Sequence, residues 1–65
     1  MKLIINGEAT QSEAGDLAAL LCELDLAEAV VATALNGDFV PKGERGETAL
    51  GDGDRIEIVA PMKGG

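Results

Sequence analysis

Apolar and polar positions alternate, cluster or recur at helical spacing in different parts of the chain, and each pattern predicts an element. Lys2-Leu3-Ile4-Ile5-Asn6 is rich in branched residues and runs into Asn6-Gly7, a pair suited to a tight hairpin turn. A strand is expected there, with Glu8-Ala9-Thr10-Gln11 returning beside it as a weaker one. Leu17, Leu20, Leu21 and Leu24 then recur at i, i+3, i+4 and i+7, the single apolar stripe of an amphipathic helix. Asp16 precedes the stripe and supplies a carboxylate for the free N–H groups of a first turn. The predicted helix has about three turns and ends near Leu24 or Asp25.

Beyond the helix, Val30-Val31-Ala32-Thr33-Ala34-Leu35 reads as a buried strand, closed by a second Asn-Gly pair at Asn36-Gly37. Asp38-Phe39-Val40 returns from it, and Pro41 ends that short strand by removing a ladder donor. From Lys42 to Gly51 the pattern is polar and irregular, with Leu50 as its one large apolar anchor. Asp52-Gly53-Asp54 predicts a tight turn. Arg55-Ile56-Glu57-Ile58 alternates and defines a last strand with Ile56 and Ile58 inward, stopped by Pro61. A lone helix with an apolar stripe must cover one face of the sheet. The expected fold is therefore α+β, a β-grasp arrangement: a mixed sheet of four to five strands covered on one face by one helix. Residues 1–60 would form this domain and 61–65 a flexible C-terminal tail ending in two glycines.

Composition limits what such a domain does. A chain of 65 residues buries only about 60% of its unfolded surface, which leaves little room for a deep catalytic cleft. Phe39 is the single aromatic residue, so the core is aliphatic and base-stacking surfaces are missing. Twelve acidic residues against five basic ones give a net charge of −7, and Lys2, Lys42, Arg45, Arg55 and Lys63 form no stripe able to neutralise phosphates. Nucleic acid is not an expected ligand. Without histidine, and with Cys22 as the only cysteine, neither a zinc site of ordinary ligands nor an internal disulfide is expected. No apolar run is long enough for a membrane span, and a soluble cytoplasmic protein is the expectation.

Few side chains are candidates for chemistry. Ser12 has no base nearby in the sequence, and Asp52 and Asp54 fit turn formation better than a metal loop, which needs further spaced ligands. Cys22 reads as a small half-buried helix residue, with Glu23 beside it and nothing cationic to activate it. Gly64-Gly65 differs in kind, with two readings open from the residues themselves: a permissive chain end, and a tail with a function. Two residues without Cβ let a backbone enter a narrow channel where any side chain would clash, and they leave a terminal carboxylate unhindered. A carboxylate becomes an acyl donor only after its oxygen is converted to a better leaving group, and a partner would have to supply the ATP site for that step.

The motifs Leu35-Asn36-Gly37-Asp38-Phe39-Val40-Pro41-Lys42, Leu50-Gly51-Asp52-Gly53-Asp54-Arg55-Ile56-Glu57-Ile58-Val59 and Gly64-Gly65, with Ile5-Asn6-Gly7 near the start, occur in an order and at a length that resemble the ThiS family. These are ubiquitin-like sulfur carriers of thiamine thiazole biosynthesis. The resemblance implies a β-grasp fold and a protein co-substrate rather than an enzyme. A ThiF-type adenylyltransferase would use ATP and magnesium to adenylate Gly65. Sulfur from cysteine, delivered through a cysteine desulfurase, would then give a C-terminal thiocarboxylate (a terminal 1-thioglycine), which thiazole synthase would accept. The chain itself would bind no cofactor and no metal, and would be a monomer when free. Gly64, Lys63 and Met62 would form the tail that reaches those active sites. Apart from the resemblance, Phe39, Val59 and Met62 have two readings: an exposed apolar docking strip on the sheet face opposite the helix, or core residues. The small subunit of molybdopterin synthase and a ubiquitin-like protein modifier would use the same terminal glycine. The family often carries an aromatic or larger residue shortly after the Val-Pro-basic motif, where this chain has Arg45-Gly46.

Overall fold

A computed structural model of the chain describes residues 1–60. The expected tail over 61–65 lies outside the described residues. Strands β1 (Lys2–Ile5) and β2 (Glu8–Gln11) form the first hairpin, followed by helix α1 (Leu17–Glu23). Strands β3 (Ala32–Leu35) and β4 (Asp38–Val40) form the second hairpin, a 3₁₀ helix covers Lys42–Glu47, and β5 (Arg55–Val59) completes the sheet. The strand order is β2-β1-β5-β3-β4. β5 lies in the centre, parallel to β1 and antiparallel to β3, and the two hairpins place β2 and β4 at the edges. This is the β-grasp arrangement expected from the sequence.

Alternation sorts the strands into two faces. Leu3, Ile56, Ile58 and Val40 turn toward α1, where Leu17, Leu20 and Leu21 meet them together with Ala14. Leu3, Leu17 and Leu20 have no exposed surface, and each such side chain stabilises the fold by about 1.5–3 kcal/mol relative to exposure. Asp16 caps the helix as its sequence position predicts, its Oδ1 accepting from the Ala19 N–H at 2.8 Å.

The helix is shorter than expected: seven residues, about two turns, with Leu24 as its C-cap. The reason lies at Asp25, whose φ of 62° is left-handed. Its N–H donates to the Cys22 carbonyl at 3.0 Å, and the Leu26 N–H reaches back to the Leu21 carbonyl at 2.7 Å. Those two bonds are the Schellman closure that usually recruits glycine; here an aspartate fills the left-handed position. The third strand also begins later than expected. Val30 is 78% exposed and outside the sheet, because pairing with β5 starts at Ala32, opposite Val59.

The segment after Pro41 corrects the sequence reading more deeply. Rather than an irregular stretch held by Leu50 alone, Lys42–Glu47 is a 3₁₀ helix with Arg45 buried. The Arg45 guanidinium donates from Nε to Thr33 Oγ1 at 3.0 Å and from Nη2 to the Val31 carbonyl at 2.6 Å. Thr33, itself buried, donates a hydrogen bond from its hydroxyl to the Val40 carbonyl at 2.9 Å. One arginine therefore ties the 3₁₀ helix to β3, and through Thr33 to β4. Leu50 remains a partly buried contributor packed against the core, and its N–H bonds the Gly15 carbonyl at 3.0 Å.

Candidate functional site

β5 is the strand that leads to the end of the sequence, so the groups around it define the candidate site. On one side its ladder pairs with β3 from Leu35↔Ile56 to Ala32↔Val59. On the other side the parallel pairing with β1 covers only Ile4↔Arg55 and Ile5↔Ile56. Beyond Ile5, the chain turns away: Asn6 and Gly7 have φ of 51° and 84°, the two positive values that a type I′ turn requires. Asn36 and Gly37 repeat this geometry in the second hairpin, at 50° and 90°.

Both asparagines do more than turn the chain. The Asn6 side-chain amide accepts from the Ile58 N–H at 2.9 Å and donates to the Ile58 carbonyl at 3.0 Å, as the next peptide of β1 would have done. At the other end of β5, Asn36 takes the Arg55 N–H on its side-chain Oδ1 at 3.0 Å, and its main-chain N–H donates to the Arg55 carbonyl at 2.7 Å. The sequence pointed to these residues as turn formers only. A side chain that completes a neighbouring ladder has no signature in a single-chain pattern.

On the face away from α1, Phe39 is 69% exposed and Val59 is 59% exposed, the two docking residues expected from the sequence. Register brings them together across β3: Phe39 stands opposite Ala34, and Val59 opposite Ala32. The small alanines leave a shallow depression of about 160 Å³ between the larger side chains, with Glu57 on its border. Glu57 also borders a trough of about 370 Å³ over β5, lined by Ile4, Asn36 and Arg55 among others. Met62, the third member of the expected strip, lies outside the described residues, as do Lys63, Gly64 and Gly65.

The remaining candidates have structural partners. Asp52 Oδ1 accepts from the Lys2 N–H and Asp54 Oδ2 from the Gly51 N–H, each at 2.7 Å, while Gly53 has a φ of 89°. Both carboxylates thus serve the turn. Ser12 is buried and donates to Glu23 Oε1 at 2.7 Å, while Glu23 Oε2 accepts from the Glu13 N–H, so the pair fastens the end of α1 to the loop before it. Cys22 is exposed rather than half-buried, since it lies off the leucine stripe on a helix with only one covered face. Among the described residues no cluster of His, Cys, Asp or Glu gathers as a metal-binding group, and no helix is long and apolar enough to cross a membrane.

A small β-grasp domain with an apolar patch beside the end of its central strand is the class that this fold and site define. The profile of the ThiS family matches residues 3–65. The crystal structure of a thiamine biosynthesis protein (ThiS) from Geobacter metallireducens is similar over the full length of both chains, with a TM-score of 0.84 and 32% identity. The solution structure of a thiamine biosynthesis protein from the same organism gives 0.79 and 30%, covering all of this chain and 88% of that one. The chain belongs to the ThiS family. It is also 44% identical over 66 residues to a thiazole synthase of Paramagnetospirillum magneticum, a relative of whose length it spans 20%.

Proposed function

We propose that this chain is a sulfur carrier of thiamine thiazole biosynthesis, with Gly65 as the loaded residue. The observation that carries the reading is the exposed Phe39–Val59 patch beside the end of β5, in a chain of the ThiS family that carries Gly64-Gly65. Apolar area left on a folded surface marks a docking site when it is contiguous. A partner seated there would stand next to the segment that leads to the two glycines.

In this reading a ThiF-type adenylyltransferase binds ATP and magnesium and presents the α-phosphate to Gly65. The carboxylate oxygen attacks phosphorus, pyrophosphate leaves, and the glycyl-adenylate becomes an acyl donor. A persulfide sulfur formed from cysteine by a desulfurase then attacks the glycyl carbonyl and displaces AMP, and a second thiol cleaves the resulting acyl disulfide, leaving the thiocarboxylate and a disulfide. The chain acts as a co-substrate: it supplies the carboxylate, a side-chain-free approach at Gly64 and Gly65, and the docking patch. Met62 and Lys63 connect that approach to the domain. Thiazole synthase is the proposed acceptor, supported by the likeness to a segment of a protein of that name and favoured by it over molybdopterin synthase. A cytoplasmic protein that is monomeric when free fits this role.

Intact-protein mass spectrometry tests the reading. Incubation with the adenylating enzyme, ATP, cysteine and a desulfurase is expected to replace one oxygen of the terminal fragment by sulfur. A tag added after Gly65 is expected to abolish loading, and one placed before Met1 to leave it intact. An unchanged mass, with the same enzymes competent on another carrier, would overturn the assignment.

A further inference from the structure

The two Asn-Gly turns make a matched pair around β5, yet they hold opposite ends of it. Asn36 secures the beginning of the strand at Arg55, and Asn6 secures Ile58 near its end. Along β5 the backbone groups of Asp54, Ile56 and Ile58 face β1. The Ile4 N–H bonds the Asp54 carbonyl and the Asn6 N–H bonds the Ile56 carbonyl, both at 2.9 Å. Main-chain pairing stops there, because Asn6 has already entered the left-handed conformation of its turn. The N–H and C=O of Ile58 would be unpaired on that side without the Asn6 amide, which satisfies both. Its two bonds extend the parallel ladder by one step past the last residue of β1.

We propose that Asn6 is a positioning residue for loading of the carrier: its side-chain amide fixes β5 through Ile58 and so sets the point and direction from which the chain continues toward Gly65. The proposal rests on the reading of Gly65 as the loaded residue. The role assigned to Asn6 is indirect. It acts through the strand, by restricting the range of approaches that the reactive carboxylate samples once the Phe39–Val59 patch is docked. Freedom of a reacting group lowers the rate of the chemical step more than it alters docking. The effect therefore belongs in kcat, with the KM for the carrier preserved.

The second turn supplies an internal control. Asn6→Gly and Asn36→Gly both retain a residue tolerant of positive φ; the first removes two side-chain bonds to Ile58, and the second removes one to Arg55 and one to Asp54 while the main-chain bond from the Asn36 N–H to the Arg55 carbonyl stays. The experiment measures adenylation and sulfur loading of the full chain for both variants, together with amide hydrogen exchange at Ile58. Asn6→Gly is expected to speed exchange at Ile58 on the order of tenfold, as a local opening near the strand end would. It is expected to lower kcat of loading by about fivefold to tenfold with KM within about twofold of the parent. Asn36→Gly, under conditions where both variants are folded, is expected to load within about twofold of the parent. Asn6→Asp, which keeps an acceptor for the Ile58 N–H but sets a second carboxylate oxygen against the Ile58 carbonyl, is expected to load no faster than Asn6→Gly.

Equal slowing by the two glycine variants would reduce Asn6 to a structural residue and overturn the proposal. So would faster exchange at Ile58 with loading unchanged. Failure of the parent protein itself to take up sulfur, with enzymes competent on another carrier, would instead overturn the carrier reading and this proposal with it.

Discussion

On β5, Ile56 and Ile58 turn toward the helix while Arg55, Glu57 and Val59 turn away, and the same division runs through β3 and β4. The inner face meets three leucines of α1 and is closed at one end by the 3₁₀ helix, with Arg45 bonded to Val31 and Thr33. The outer face has no second layer among the described residues. Its largest side chain, Phe39, stands over Ala34, and its depression is floored by small residues. Alternate residues of the same strands thus have separate tasks: one set removes apolar area from water to hold the fold, and the other leaves it exposed. Outer-face changes should then spare stability and reduce partner binding, whereas inner-face changes should do the reverse.

The largest test of that division is Leu20→Ala. Leu20 is fully buried at the centre of the leucine stripe, and its truncation removes buried methyl groups and leaves a cavity. A loss of about 2–5 kcal/mol is expected in denaturant unfolding, a large part of what a domain of this size has. The fraction still folded should dock its partner with unchanged affinity. Phe39→Lys is the counterpart. It replaces an exposed aromatic residue by a cation bordering Glu57, so unfolding should shift by no more than about 0.5 kcal/mol. Affinity for the proposed adenylating partner should fall at least about tenfold, because a charge would have to be desolvated on docking. Isothermal titration and urea unfolding on the same preparations separate the two effects. Unfolding of the Phe39 variant, or unaltered affinity, would erase the distinction between the faces.

Much of the inner face was legible in the sequence. The leucine spacing identified the helix and its buried stripe, the Arg55–Ile58 alternation identified the central strand, and the Asn-Gly pairs located both hairpins. These signals are local, and a local signal survives in one chain. The features that escaped are those in which a side chain acts on a distant backbone. Arg45 reads as a surface cation in a polar stretch, and only the tertiary fold brings it to the Val31 carbonyl and Thr33. It stands in the stretch where the ThiS resemblance led one to expect an aromatic or larger residue, and its buried guanidinium bonds neutral acceptors. The ladder bonds of Asn6 reach a residue 52 positions away, and no turn rule encodes them. Of the candidate site, Phe39 and Val59 were foreseen as an exposed pair, but the alanine-floored depression between them depends on the register of three strands.

The smallest effect is expected at the helix end and has the opposite sign. Asp25 holds φ at 62° to complete the Schellman closure, a conformation that glycine adopts without the Cβ clash and that aspartate tolerates better than most residues. Two terms compete in Asp25→Gly: relief of the left-handed strain, and the greater freedom glycine brings to the unfolded chain. Strain relief at this position usually exceeds the entropy difference, so a gain of a few tenths to about 1 kcal/mol is expected. The substitution also removes a negative charge close to the C-terminus of α1, where the helix dipole disfavours it and no basic residue stands in the last turn. That contribution has the same sign and weakens with salt. Because Asp25 belongs to the helix layer, loading and partner affinity should match the parent while the urea midpoint rises. A lowered midpoint would mean that the aspartate, despite its φ, stabilises the turn. A changed affinity would mean that the helix layer takes part in docking, and the two faces of the sheet would no longer divide stability from recognition.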